Sequence, residues 1–217
     1  MGLLPLLQND PLAFVLVAVV LMLSLALHEW GHAVTALWMG DSTAKEQGRV
    51  TLNPLKHLDL IGSLMIVLVG FGWAKPVPIY PPHFRNYRLG LFVVSIAGIV
   101  INLLIATSLA LLLRWMLDAG HLPNPTAFWE QVARVAVVAA SINLTLAVFN
   151  LLPIPPLDGS KIVQSFLPYR WHPYIWRLET NTTYAILAML LLLTVFRQPL
   201  SNFFGSVRAQ FFSLFGL

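Results

Sequence analysis

Two histidines four residues apart, His28 and His32, flank a glutamate at position 29. The run reads Leu25-Ala26-Leu27-His28-Glu29-Trp30-Gly31-His32-Ala33-Val34. On a helix, residues four apart share a face, so two imidazole nitrogens can meet at one metal ion. Glu29 is adjacent and can take a proton from a water on that ion. The setting sharpens this reading. The flanks are apolar, and an ionisable group at the bilayer centre costs about 2.5–3.5 kcal/mol on insertion scales. Three titratable groups within five positions therefore need a compensating partner. The plainer alternative is two histidines hydrogen-bonded inside a helix bundle, with the glutamate paired to a cation.

The elements that must position these groups follow from composition and pattern. Of 217 residues, 58% are hydrophobic and only 10% charged, against about 25% charged in a soluble domain. The expected class is an all-α multi-pass membrane protein with about four transmembrane helices and a re-entrant or β-hairpin element between the first two. With no cysteine, disulfides, thiolate ligands and cysteine nucleophiles are excluded. The net charge of +4 is small and dispersed, which suits loops at a lipid surface and argues against nucleic acid. Met1 to Asp10 carries no Lys or Arg, unlike the basic start of a secretory signal.

Helix one is expected over Pro11 to Met39. Asn9 or Asp10 caps it, Pro11 takes the first helical position and Gly40 stops it. His28 then lies about 16 Å from the Gly40 end. Residues 41–88 form a long connection. Arg49-Val50-Thr51-Leu52-Asn53-Pro54 reads as a short strand. The apolar run from Ile61 to Gly70 is too short to span and suits a re-entrant or interfacial segment. Lys75-Pro76-Val77-Pro78-Ile79 fits an edge strand with its missing donors on one side. Such backbone at membrane depth is tolerated beside a water-filled cavity. Helix two is expected over Leu89 to Leu117, helix three over Val132 to Leu152 and helix four over Thr182 to Phe196. A phenylalanine-rich interfacial tail runs from Pro199 to Leu217. Together these make one membrane-embedded domain over 1–217, with a core at about 11–165 and a C-terminal helix and tail at 182–217. Loops 40–88 and 153–181 hold nine of the thirteen Lys and Arg residues. That bias predicts a cell-membrane protein with those loops in the cytoplasm, both termini outside and the metal site nearer the cytoplasmic face.

A catalytic zinc site takes three protein ligands and a water. The remaining carboxylates are Asp10, Asp41, Glu46, Asp59, Asp118, Glu130, Asp158 and Glu179. Most fall at helix ends or in loops, where a cap or a solvated charge explains them. Asp158 differs, because Pro153, Pro155 and Pro156 break the chain before it and let the backbone turn back to the bundle.

At these residues the chain resembles the site-2 protease family of intramembrane zinc metalloproteases. The likeness rests on His28-Glu29-x-x-His32 and Asn150-x-x-Pro153-x-Pro155-x-x-Asp158-Gly159. It is reinforced by Gly48-Arg49-Val50-Thr51-Leu52-Asn53-Pro54 with His57 and Asp59, and by Gly72-Trp73-Ala74-Lys75-Pro76-Val77-Pro78. The resemblance implies one zinc ion on His28, His32 and Asp158, Glu29 as general acid/base, and Asn150 near the reacting carbonyl. Where the family often has proline after the Asp59 equivalent, this chain has Leu60. Where it often has Ala-Gly-Pro before the helix-two asparagine, this chain has Ala97-Gly98-Ile99. The roles of Asp59 and Asn102 stay open. No PDZ or CBS domain is expected in these loops.

The expected function is hydrolysis of a peptide bond in or near a transmembrane segment of a membrane-protein substrate. The partners are that substrate and the lipid bilayer, with the oligomeric state open. An unwound substrate segment could add to an edge at Arg49–Asn53 or Lys75–Ile79, making Thr51 and Val77 contact positions and Asn143 a further candidate. His57 and His83 read as surface or loop-bracing histidines, and Asn102 and Asn143 first of all as interhelical hydrogen-bond partners. The alternative is a non-proteolytic zinc carrier, which needs ligands along a path on both sides of the bilayer. Here the polar residues gather at one depth. A di-iron oxidase would need several histidine boxes, and only one is present.

Overall fold

A computed structural model describes residues 4–69, 72–122 and 125–217. Its helices are α1 (Leu4–Asn9), α2 (Pro11–Met39), α3 (Thr43–Glu46), α4 (Leu60–Val69), α5 (Tyr87–Asp118), α6 (Ala127–Asn150), α7 (Asp158–Phe166), α8 (His172–Thr180), α9 (Thr182–Thr194) and α10 (Arg197–Ser213). Three of them, α2, α5 and α6, are long and apolar enough to cross a membrane. The chain is an all-α multi-pass membrane protein. The expected fourth span is helical as α9, but its 13 residues reach only about 20 Å, short of a hydrocarbon core of about 30 Å.

Local chemistry sets the ends. The Asp10 carboxylate accepts the Ala13 N–H at 2.9 Å, and Pro11 opens α2. Gly40 closes it in the left-handed region at φ 109°, with its N–H on the Ala36 and Leu37 carbonyls, a conformation that favours glycine. Asn86 caps α5 by accepting the Leu89 N–H at 3.1 Å.

Helix α5 is the centre. Half of its apolar window is buried inside the protein, against 22% for α2, and it packs on α2, α6 and α7. The buried faces of these helices carry many small residues: Ala26 and Ala36 on α2, Ala106 and Ala110 on α5, Ala136, Ala140 and Ala147 on α6. Small side chains let helices approach closely where lipid removes any hydrophobic drive to associate. The predicted tail is the helix α10, which packs against α6 and α9.

The connection between α2 and α5 departs from expectation. Among the described residues neither Arg49–Pro54 nor Lys75–Ile79 is a strand, and the β pairing there is one antiparallel bridge, Leu58 with Ala74. Pro76 and Pro78 lack the donors a ladder needs. Side chains hold residues 74–80 instead. The Arg49 guanidinium donates to the Lys75 and Pro76 carbonyls at 2.7 and 3.3 Å. The buried Asp41 accepts the Tyr80 N–H at 2.7 Å. The apolar run at 61–70 forms α4, too short to cross; Gly70 lies outside the described residues.

Candidate metal centre

Helix α2 turns His28 and His32 to the same face, with their Nε2 atoms 3.0 Å apart. The third corner comes from 130 residues away. α6 ends at Asn150, the chain folds back through Pro153, Pro155 and Pro156, and α7 starts at Asp158. Gly159 allows this return, since a Cβ there would sit 2.3 and 2.4 Å from the Leu151 and Leu152 carbonyl oxygens. Asp158 Oδ2 then lies 3.1 Å from His28 Nε2 and 3.2 Å from His32 Nε2. All three residues are buried.

The opposite ring nitrogens decide what this triangle holds. His32 Nδ1 lies 2.7 Å from the Val94 carbonyl oxygen, which only accepts, so Nδ1 carries the proton. His28 Nδ1 lies 2.6 Å from Asn102 Oδ1 and donates likewise. In the neutral rings both Nε2 atoms then present lone pairs, facing each other and a carboxylate oxygen. A proton can relieve one pair of these acceptors; a metal ion satisfies all three. Donors held about 2.0–2.2 Å from zinc in a tetrahedron lie about 3.3–3.5 Å apart, close to the observed spacings. The residues fit the ion, and His28, His32 and Asp158 can hold one.

α5 presents the counter-surface as a stripe one turn apart: Val94, Gly98, Asn102. Gly98 is the contact point. A Cβ there would lie 2.5–2.6 Å from three atoms of the His28 ring. Glu29, half-buried beside the ligands, accepts the Val77 N–H at 2.9 Å. The predicted contact position Val77 thus meets the predicted acid/base through its backbone.

The other expected residues are placed as follows. Asn143 is buried between helices, donating to Ser24 Oγ at 2.9 Å and to the Ala139 carbonyl at 2.8 Å. Asn150 ends α6 with its amide on the Leu146 carbonyl at 2.9 Å. Thr51 braces its loop: its hydroxyl oxygen accepts the Asn53 N–H, and its carbonyl accepts from the buried His57 ring at 2.8 Å. Asp59, whose role the sequence left open, accepts the Gly62 N–H at 2.7 Å at the start of α4. His83 reaches Asp41 at 3.2 Å. Burial acts to raise the Asp41 carboxyl. The Thr43 hydroxyl, the Tyr80 and Thr43 N–H groups and His83 outweigh it and hold the carboxyl below its ordinary range. Sequence reasoning missed the support from Val94 and Gly98. A carbonyl leaves no mark on residue type, but the four-residue spacing of Gly98 and Asn102 was a readable sign of a helix face built for close approach.

Residues 115–193 match peptidase family M50. That stretch includes the turn into Asp158 and leaves the paired histidines outside. The protein named "Putative zinc metalloprotease YwhC" of Bacillus subtilis is 42% identical over 150 residues, 69% of this chain and 68% of its own length. "Putative zinc metalloprotease Rip2" of Mycobacterium tuberculosis is 35% identical over 205 residues, 89% of this chain and 72% of its own length. Its Mycolicibacterium smegmatis namesake is 37% identical over 151 residues, 67% of this chain and 55% of its own length. No solved structure matches. An acceptor triangle with room for one ion, in a chain related over most of its length to zinc metalloproteases, makes this protein a member of peptidase family M50, the site-2 protease family, with zinc as its metal.

Proposed function

We propose that the chain is an intramembrane zinc metalloendopeptidase that cuts a membrane protein within or near a transmembrane segment. The observation that carries the reading is the convergence of His28 Nε2 and His32 Nε2, on a helix apolar enough to span a bilayer, with Asp158 Oδ2 from the start of α7. Zinc bound there supplies an acidified water and polarises the scissile carbonyl. Glu29 takes the proton of the attacking water and returns it to the departing amine nitrogen. Asn150, at the end of α6 just before the turn to Asp158, offers the developing oxyanion the amide N–H that is not on the Leu146 carbonyl. The 74–80 segment, with Val77 on Glu29, lies where an unwound substrate passes the acid/base, with Thr51 in the loop beside it; Asn143, expected as a contact position, is buried between helices and meets no substrate. Nine of thirteen basic residues in two loops support a cell-membrane location with the site nearer the cytoplasm.

The test uses purified protein in lipid vesicles. Its substrates are single-span membrane proteins that accumulate in cells carrying an inactive copy. Wild-type protein cleaves them. Glu29→Gln keeps its zinc and loses about 10²–10⁴ in rate. Full activity in Glu29→Gln, or zinc uptake into the vesicles without cleavage, overturns the reading.

A further inference from the structure

Behind His28 runs a chain of buried side chains that the proposed chemistry does not use. It leaves α2 at Ser24, crosses to Asn143 on α6 and to Asn102 on α5, and returns to α2 at His28, one turn from its origin. Its links are Asn143 Nδ2 to Ser24 Oγ at 2.9 Å, Asn102 Nδ2 to Asn143 Oδ1 at 2.8 Å, and His28 Nδ1 to Asn102 Oδ1 at 2.6 Å. All four residues are buried.

We propose that Asn102 and Asn143 are positioning residues for the metal, which fix the nitrogen of His28 that carries the proton and so keep Nε2 open to zinc. This rests on His28 as a zinc ligand, not on proteolysis. The direction of the chain is set at its far end. The Ala139 carbonyl accepts from Asn143 at 2.8 Å, and a carbonyl can only accept. The nitrogen of the Asn143 amide must therefore face Ala139, which turns Oδ1 to Asn102. Asn102 must then offer its nitrogen to Asn143 and its oxygen to His28. Against that oxygen, neutral His28 has one stable tautomer: Nδ1 protonated and Nε2 free to bind the ion. His32 obtains the same result in a single step from the Val94 carbonyl. Partners behind a ligating histidine set its tautomer, ring orientation and basicity.

The experiment measures zinc affinity by competition with a chromophoric chelator and records histidine ¹⁵N shifts of the zinc-loaded protein. In the wild type, His28 shows a protonated Nδ1 and a metal-bound Nε2. Asn102→Leu and Asn143→Leu each weaken zinc binding about 10–100-fold and shift the His28 nitrogens, while the His32 nitrogens hold. Met116→Ala, at a fully buried site far along α5, changes neither readout. Wild-type zinc affinity in the two Leu variants, or an equal loss in Met116→Ala, overturns the proposal. Should the Leu variants not fold, a wild-type His28 bound through Nδ1 overturns it alone. Wild-type protein that shows these nitrogen signals and cleaves nothing supports this proposal and defeats the proteolytic one.

Discussion

The two sides of the site are held by opposite means. The ligand side is a helix bundle whose backbone groups are satisfied within each helix. Its side chains are free to point inward, and small residues bring them together. The Glu29 side is a proline-containing segment with no ladder. There charged side chains substitute for one: Arg49 on two carbonyls, Glu29 on the Val77 N–H, Asp41 on the Tyr80 N–H. Buried backbone polar groups must find partners, and here Glu29, the proposed acid/base, is one of them. The contrast teaches that metal geometry and proton handling can be disturbed separately.

The largest break should come from the bundle. Gly98→Ala places a methyl 2.5 Å from the His28 ring, so the ring or α5 must move. Zinc affinity is expected to fall about 10–100-fold, read by chelator competition, and cleavage should fall with it. Unchanged affinity would mean that the α2–α5 spacing is not what sets the ligand triangle.

The same contrast explains what the sequence disclosed. The residues that converge at the candidate metal centre were legible, because His-Glu-x-x-His on a helix and an aspartate after a proline break carry their geometry in residue type and spacing. Helices α2, α5 and α6 were legible from apolar length and caps, within a few residues at each end. The 49–80 region was not. Its alternating prolines suggested an edge strand, but its shape is set by side-chain bonds from Arg49 and Asp41, over 26 and 39 residues of sequence, and no local pattern encodes those. Asn102 was readable as an interhelical partner. Its connection to His28 required two further residues on different helices.

A break on the other side should leave the metal alone. Val77→Pro removes the N–H that Glu29 accepts and keeps a side chain of similar size. Zinc affinity is expected to match wild type while kcat falls about tenfold, the scale of one hydrogen bond to a charged group. Loss of zinc in this variant would show that the two sides are coupled.

The smallest effect belongs to Asp41, which anchors the far end of the same segment. Its carboxyl is held below its ordinary range by the bonds from Thr43, Tyr80 and His83, against the opposing effect of burial. A depressed carboxyl contributes stability in full above its unfolded value of about 3.9, and that contribution is lost as pH falls through the folded value. Asp41→Asn keeps the size and one acceptor, so at pH 7 it should cost about 1 kcal/mol, read as a lowered Tm of the zinc-loaded protein in detergent. The gap between variant and wild type should narrow as pH drops below about 4, because the wild-type carboxylate is then the one losing charge. A gap that persists there would assign the anchoring to shape alone, and Asp41 would be acting through packing of the α2 terminus and not through its charge.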